Sequence, residues 1–363
     1  MNSKLSAQTF DDEELGGRIL AAPSIGLMTI DAPHRLTHVP AGRIAVGRLL
    51  TLGEKAVSGM DAYNSTAEQV VERWFAATYP VMKLAPQVYW TGPHNEGGRL
   101  EDVQTMYWYG DIELRRQRKL AALGLKCATF NFSAEANIYD KFQPLVPALR
   151  TALELGNLYA THGYSSPRLT SSMDTLLNHR LLRAALGWLP LTVYTEFGAD
   201  QVHHNQMNGW RQTGMSEMDY INDLVGVDQT YLAPDPDVVG AFVYLWTKQG
   251  RPEWTAYNLE RGGDRRRPER GVGNMLLEHI TNNPAAPFVS VPAPVPIIEV
   301  DPPVPQPRGT VAMAGLNIRT EPRIVDETKI GQFRVETPVE VLETRDGWSK
   351  IALFVKAEYL KGE

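Results

Sequence analysis

Residues 88–98 read VYWTGPHNEGG and residues 189–198 read LPLTVYTEFG. Both are short apolar runs ending in a polar turn that holds a glutamate, Glu96 in the first and Glu196 in the second. A helical period precedes each: AEQVVERWFAATYPVMKLA from Ala67, and LLNHRLLRAALG over residues 176–187. Such a run, bounded by turn residues and following an amphipathic helix, predicts a parallel strand buried on both faces. The unit recurs between the two glutamates. IELRRQRKLAALG (112–124) leads into LKCATFNF, and FQPLVPALRTALE from Phe142 leads into LYATHGY. Pro147 must kink or shorten the latter helix. Repetition of helix and strand implies an α/β fold with a parallel sheet.

Two parallel architectures compete. An open doubly wound sheet that binds nucleotides needs a Gly-rich phosphate loop after its first strand. None is present, and the glycines of GPHNEGG lack that spacing. A barrel enzyme builds its site at the C-terminal ends of its strands. Asn95, Glu96, His162, Tyr164 and Glu196 all fall there, so a (β/α)8 barrel of the TIM type is expected. Its first units are irregular. SIGLMTID (24–31) and RIAVGRLLT (43–51) read as strands, yet too few residues separate them for a full crossover helix.

Two carboxyl groups on one barrel rim suit glycosidic cleavage with retention. One protonates the leaving oxygen, and the other attacks the anomeric carbon from about 5–5.5 Å away. Strand ends far apart in sequence meet on such a rim. Flanking aromatic residues such as Trp90 are expected to desolvate a carboxyl group and raise its pKa, as a general acid near neutrality needs.

These segments resemble the clan A glycoside hydrolases. VYWTGPHNEGG looks like the clan's acid/base motif, an Asn-Glu pair ending the fourth strand, with Gly97 where proline is usual. LTVYTEFG looks like its nucleophile motif, Thr-Glu-Phe-Gly, ending the seventh. ATHGYS resembles the sixth strand with its His-x-Tyr pattern. Arg48 resembles an early arginine that supports the nucleophile, and Trp246 in FVYLWT an eighth-strand tryptophan that floors the sugar site. The resemblance spans residues 25–283 in outline. It implies Glu96 as acid/base, Asn95 on the sugar 2-hydroxyl, Glu196 as nucleophile, and Tyr164 or His162 orienting it. Trp90, Arg48 and Trp246 join the expected substrate-binding set. An oligosaccharide or glycan is the implied partner. The competing reading is a barrel that binds glycans or cell wall without turnover.

No cofactor or metal is expected. His203 and His204 are adjacent, so their side chains diverge, and no third ligand stands at a useful spacing. Trp108 and Tyr109 either stack on sugar rings or pack a loop. RGGDRRRPER (261–270) reads as a solvated basic loop. The chain of 363 residues has a net charge of -6, which disfavours nucleic acid as partner. Its single cysteine, Cys127, excludes an intramolecular disulfide and reads as an inert thiol packed in a strand. The N-terminus has neither the basic start nor the apolar run of a secretory signal, and no stretch approaches bilayer-spanning length. A soluble polypeptide is expected, compatible with action at a cell wall.

The Pro-rich stretch 283–307, NPAAPFVSVPAPVPIIEVDPPVPQP, cannot form a helix or a central strand. It divides the expected barrel domain (1–283) from a small module (309–363), with 284–308 as a semi-extended linker. The module's short alternating segments predict a small β-barrel. It resembles bacterial Src-homology-3-like domains in Leu316, Asn317, Arg319, Pro322, Gly347, Trp348, Lys350, Ile351, Tyr359 and Leu360. That resemblance implies a non-catalytic module for a cell-wall ligand and, with the barrel, a bacterial or phage setting.

Overall fold

The computed structural model describes residues 2–10, 13–96, 102–134, 141–203, 206–246, 256–259 and 271–289, with residue 13 and residues 201–208 as backbone only. It also describes the backbone of five strands between Arg308 and Ala352. The chain divides into two compact units, Met1–Pro294 and Val295–Glu363.

In the first unit eight parallel strands close on themselves. They are β1 (Leu5–Thr9), β2 (Gly26–Ile30), β3 (Ile44–Arg48), β4 (Tyr89–Trp90), β5 (Lys126–Phe132), β6 (Leu158–Ser165), β7 (Thr192–His203) and β9 (Val238–Trp246). Each pairs with its successor, and β9 returns to β1. β8 (Gln206–Gly209) folds back antiparallel on the end of β7. Helices separate the strands: α1 (Glu13–Ala21), α2 (Pro33–Leu36), α3 (Ala67–Met82), α4 (Val103–Ala121), α5 (Val146–Glu154), α6 (Met173–Leu176), α7 (His179–Leu186), α8 (Glu217–Val227) and α9 (Val272–Asn282). This is the (β/α)8 barrel that the alternation predicts. Local chemistry sets the helix ends. Thr66 and Gln69 form a capping box at α3, Asp102 caps α4 through two backbone N–H groups, and Gly187 ends α7 at φ 77°.

The expected irregular start is present. One short helix, α2, replaces the crossover between β2 and β3. β1 was not legible, because LSAQT has no apolar run: Leu5 and Ala7 face the helices while Ser6 and Gln8 are buried polar residues. α4 begins nine residues before the predicted 112, so Trp108 and Tyr109 are helical. Pro144 and Pro147 sit at helix starts, where a missing N–H costs nothing. Cys127 is fully buried on β5, and burial pushes its thiol up to about 12.

The barrel lumen is filled below the rim by Met28, Ile44, Val46, Tyr89, Ala128, Leu158, Ala160, Val193 and Phe242. The start of the Pro-rich stretch packs here too. Ala285 and Phe288 lie against this cluster, and their N–H groups donate to the carbonyls of Pro23 (3.0 Å) and Gly42 (2.7 Å). The Phe288 ring meets Tyr89 edge-on at 6.2 Å. Residues 290–307 lie outside the described residues.

The second unit is all-β where it is described. β10 (Arg308–Thr310), β13 (Pro338–Arg345) and β14 (Trp348–Ala352) form one antiparallel sheet, and β11 (Asn317–Arg319) pairs antiparallel with β12 (Lys329–Gln332).

Candidate active site

Period two along β6 puts Ala160, His162 and Tyr164 on one face. Ala160 belongs to the lumen core, so His162 and Tyr164 stand above it at the rim. β7 needs a correction to its pleat to do the same. Val193 faces the lumen and Tyr194 the helices, where its hydroxyl meets His179. The pairing with β6 then skips a residue between Tyr194 and Glu196. This bulge lets two successive side chains, Thr195 and Glu196, reach the site.

Glu196 is held at both oxygens. Arg48 Nη1 donates to Oε1 at 2.8 Å, and the Tyr164 hydroxyl donates to Oε2 at 3.0 Å. Arg48, at the end of β3, is itself gripped by Glu54, with Nε at 2.7 Å and Nη2 at 3.1 Å from its carboxylate oxygens. Burial disfavours the Arg48 charge, but Glu54 and then Glu196 outweigh it and push the pKa up. Burial, and next the charge of Glu196, push the Tyr164 and Tyr244 phenols well up. Tyr164 therefore keeps its proton and acts as a donor.

Glu96 leaves β4 at φ 59°, with its N–H donating to the Asn131 carbonyl at 2.9 Å. Its side chain keeps 45% of its surface exposed, against 9% for Glu196. The fully buried His162 lies between them, its Nδ1 3.2 Å from Glu96 Oε1 and 3.6 Å from Glu196 Oε2. Neither ring nitrogen makes a well-aligned hydrogen bond. Two oxygens that share one nitrogen at these distances cannot be more than about 7 Å apart.

The pKa expectation for Glu96 is corrected. The neighbouring His162 ring, opposed in part by burial and helped by Arg48, holds the Glu96 carboxyl below the usual carboxylate range. Aromatic desolvation does not dominate because the side chain is half open to water.

Six of the eight expected site residues meet here: Glu96, Glu196, Asn95, Arg48, His162 and Tyr164. Two do not. Trp90 is 1% exposed and packs outside the barrel against Gly47, among the residues under the helices. Trp246 is 1% exposed, covered by Gly273 of α9 and by the Arg18 guanidinium at 4.9 Å. Neither offers a face to a sugar. Tyr109 is also buried, its hydroxyl donating to the Phe130 carbonyl, and Trp108 Nε1 donates to the Ser65 carbonyl at 2.7 Å. The side chains of His203 and His204, and the run 261–270, lie outside the described residues. No group of three metal-ligating side chains occurs among the described residues.

Glu54, Asn131 and Thr195 join the site without having been among the expected residues. Asn131 carried a usable signal, a polar residue inside the apolar end of LKCATFNF. Glu54 carried none, since its role depends on the turn of π-helix (Leu50–Glu54) that returns it to Arg48.

No family model matches the chain, and no curated protein matches it. Solved structures similar to it include the catalytic domain of a mannanase from Streptomyces sp. SirexAA-E, with TM-score 0.47, 14% identity, and 80% of this chain and 88% of that one covered. A GH128 (subgroup I) endo-β-1,3-glucanase from Amycolatopsis mediterranei gives 0.45, 13%, 76% and 98%. A β-mannanase from Streptomyces thermolilacinus gives 0.45, 14%, 77% and 88%.

Proposed function

We propose that the protein is a glycoside hydrolase that cleaves O-glycosidic bonds with retention by double displacement. The observation that carries this reading is the approach of Glu96 and Glu196 to one buried histidine nitrogen. It caps the distance between those two oxygens at about 7 Å, which admits the about 5–5.5 Å of a covalent glycosyl-enzyme and leaves most of the inverting range of about 6.5–9.5 Å beyond reach.

The roles follow from the surroundings. Glu196, held at both oxygens by Arg48 and Tyr164 in a nearly closed position, attacks the anomeric carbon. Glu96, on the open side, meets the leaving group. It gives its proton to the glycosidic oxygen in the first step and takes one from water in the second. A sugar covering Glu96 removes its water and raises its pKa, so that the carboxyl gains a proton when substrate binds. Asn95 lies beside Glu96 as a hydrogen-bonding group for the hydroxyl next to the anomeric centre. The C-terminal module then acts as a tether to a cell-wall ligand, on the strength of its Src-homology-3-like sequence and its antiparallel strands.

Variants of the two glutamates test the reading. Glu196→Ala removes all turnover. Glu96→Ala forms the intermediate from an aryl glycoside with a good leaving group and then stalls, and added azide restores turnover as a glycosyl azide of retained configuration. Rescue of Glu196→Ala with inverted product instead reverses the roles. Absence of turnover by the parent on a broad panel of aryl glycosides removes the enzymatic reading.

A further inference from the structure

We propose that Asn131 is a positioning residue that fixes which end of the Asn95 amide faces the substrate. This rests on the reading of Asn95 as a contact for the sugar hydroxyl beside the anomeric centre. Asn131 Nδ2 donates to Asn95 Oδ1, and Thr195 Oγ1 donates to Asn131 Oδ1. The Glu96 N–H donates to the Asn131 carbonyl at 2.9 Å. One residue on β5 thus touches both the Asn95–Glu96 turn and the bulge beside Glu196.

The polarity of this chain matters. The Thr195 hydroxyl has one proton and two acceptors in reach, the Thr161 carbonyl at 3.3 Å and the closer Asn131 Oδ1; donation to the closer one leaves Asn131 its amino group for Asn95. Asn95 Oδ1 is thereby taken, and its amino group remains to donate to a ligand. Asn131 and Thr195 are 1% and 0% exposed, so water does not compete for these positions.

The backbone is shaped for the purpose. Phe130 and Asn131 take φ 80° and 70°, and the β5–β6 register shifts between Phe130 and Phe132. Asparagine tolerates this left-handed region, but phenylalanine pays for it. α4 holds Phe130 there. Tyr109 donates to its carbonyl, Glu113 accepts from its N–H at 3.2 Å, and its ring stacks on Phe132 at 5.0 Å. Strain that is held at three points persists where it serves a site.

Asn131→Asp keeps the side-chain shape and tolerates the same φ, and at a pH where it is ionised it has only acceptors. Asn95 must then turn its amino group inward and offer its carbonyl to the ligand. Asn131→Gly suits the backbone and releases Asn95 altogether. Two readouts decide the matter. In protein carrying 15N-asparagine, the Asn95 side-chain amide should shift by well over its linewidth in Asn131→Asp, with one proton newly protected. Unchanged Asn95 signals in both variants overturn the proposal, whatever the protein binds. Titration with deoxynojirimycin, which bears the hydroxyl, and isofagomine, which lacks it, gives the ligand side. Asn131→Asp should weaken the first by about tenfold, the size of one hydrogen bond, and the second by less than about threefold. Equal losses for both probes indicate general damage and overturn the proposal. If the parent binds neither probe while the amide signals move as expected, the glycosidase reading fails and the orienting role of Asn131 stands.

Discussion

His162 lies against both glutamates and acts on the protonation of Glu96. It depresses the Glu96 pKa, so the resting protein holds Glu96 as a carboxylate at neutral pH. A depressed carboxyl contributes stability above its unfolded pKa and loses it as pH falls through the folded one. In the proposed reaction, a sugar covering Glu96 reverses that balance by desolvation. The alkaline limb of kcat/KM, which reports the free enzyme, should therefore lie at lower pH than the alkaline limb of kcat. His162→Asn should move the kcat/KM limb upward; profiles measured on an unactivated substrate that coincide in parent and variant contradict this. Arg48 is the second test at this scale. Arg48→Ala leaves Glu54 and Glu196 without their cation in a site where each side chain is at most 14% exposed. Breaking such a pair costs about 3–5 kcal/mol, read as a lowered denaturant midpoint. The residues that were legible in the sequence are those at ends of apolar runs: Glu96, Glu196, His162 and Tyr164. The two tryptophans misled because a strand's aromatic residue points to the helices as readily as to the lumen. Period two decides which, and a bulge or short strand shifts the count.

The decisive element is α4, which carries none of the six residues that meet at the rim. Its fully buried Glu113–Arg116 pair ties the rim ends of β4 and β5 together. Arg116 donates to the carbonyls of Trp90 (2.9 Å) and Ala128 (3.0 Å), and Glu113 accepts from Phe130 N–H. Cβ on Gly92 would fall 2.4 Å from Glu113 Oε1, so the turn toward Glu96 is fitted around this pair. Arg116→Met removes one charge and strands the other. We expect a loss of about 3–5 kcal/mol in chemical denaturation; a loss below about 1 kcal/mol contradicts the assigned role. The sequence shows α4 as amphipathic from residue 112 but hides its first turns, because Trp108 and Tyr109 follow a motif that invites a loop reading. Elements with strong periodicity, α3 and β7 among them, were legible. β1 was not, since Ser6 and Gln8 interrupt its apolar pattern.

Closure of the barrel governs the whole molecule. Eight strands bring Glu96 and Glu196, one hundred positions apart, onto the same histidine, which no local pattern states. Composition and the Pro-rich stretch mark two units, but they do not reveal that residues 285–288 belong against the barrel lumen. A chain ending at Val289 should fold alone. A chain ending at Asn283 should be less stable by about 1–3 kcal/mol, having lost the packing of Phe288; equal thermal midpoints for the two contradict this. Trapping the covalent intermediate shows whether the closed rim builds the proposed retaining nucleophile. The intact protein is incubated with a broad panel of 2-deoxy-2-fluoro-glycosyl fluorides, digested, and examined by mass spectrometry. One covalent glycosyl adduct is expected in the segment 191–198, on Glu196, and it should be absent from Glu196→Ala. An adduct on Glu96, or turnover of aryl glycosides with inversion and no adduct, would contradict the proposal.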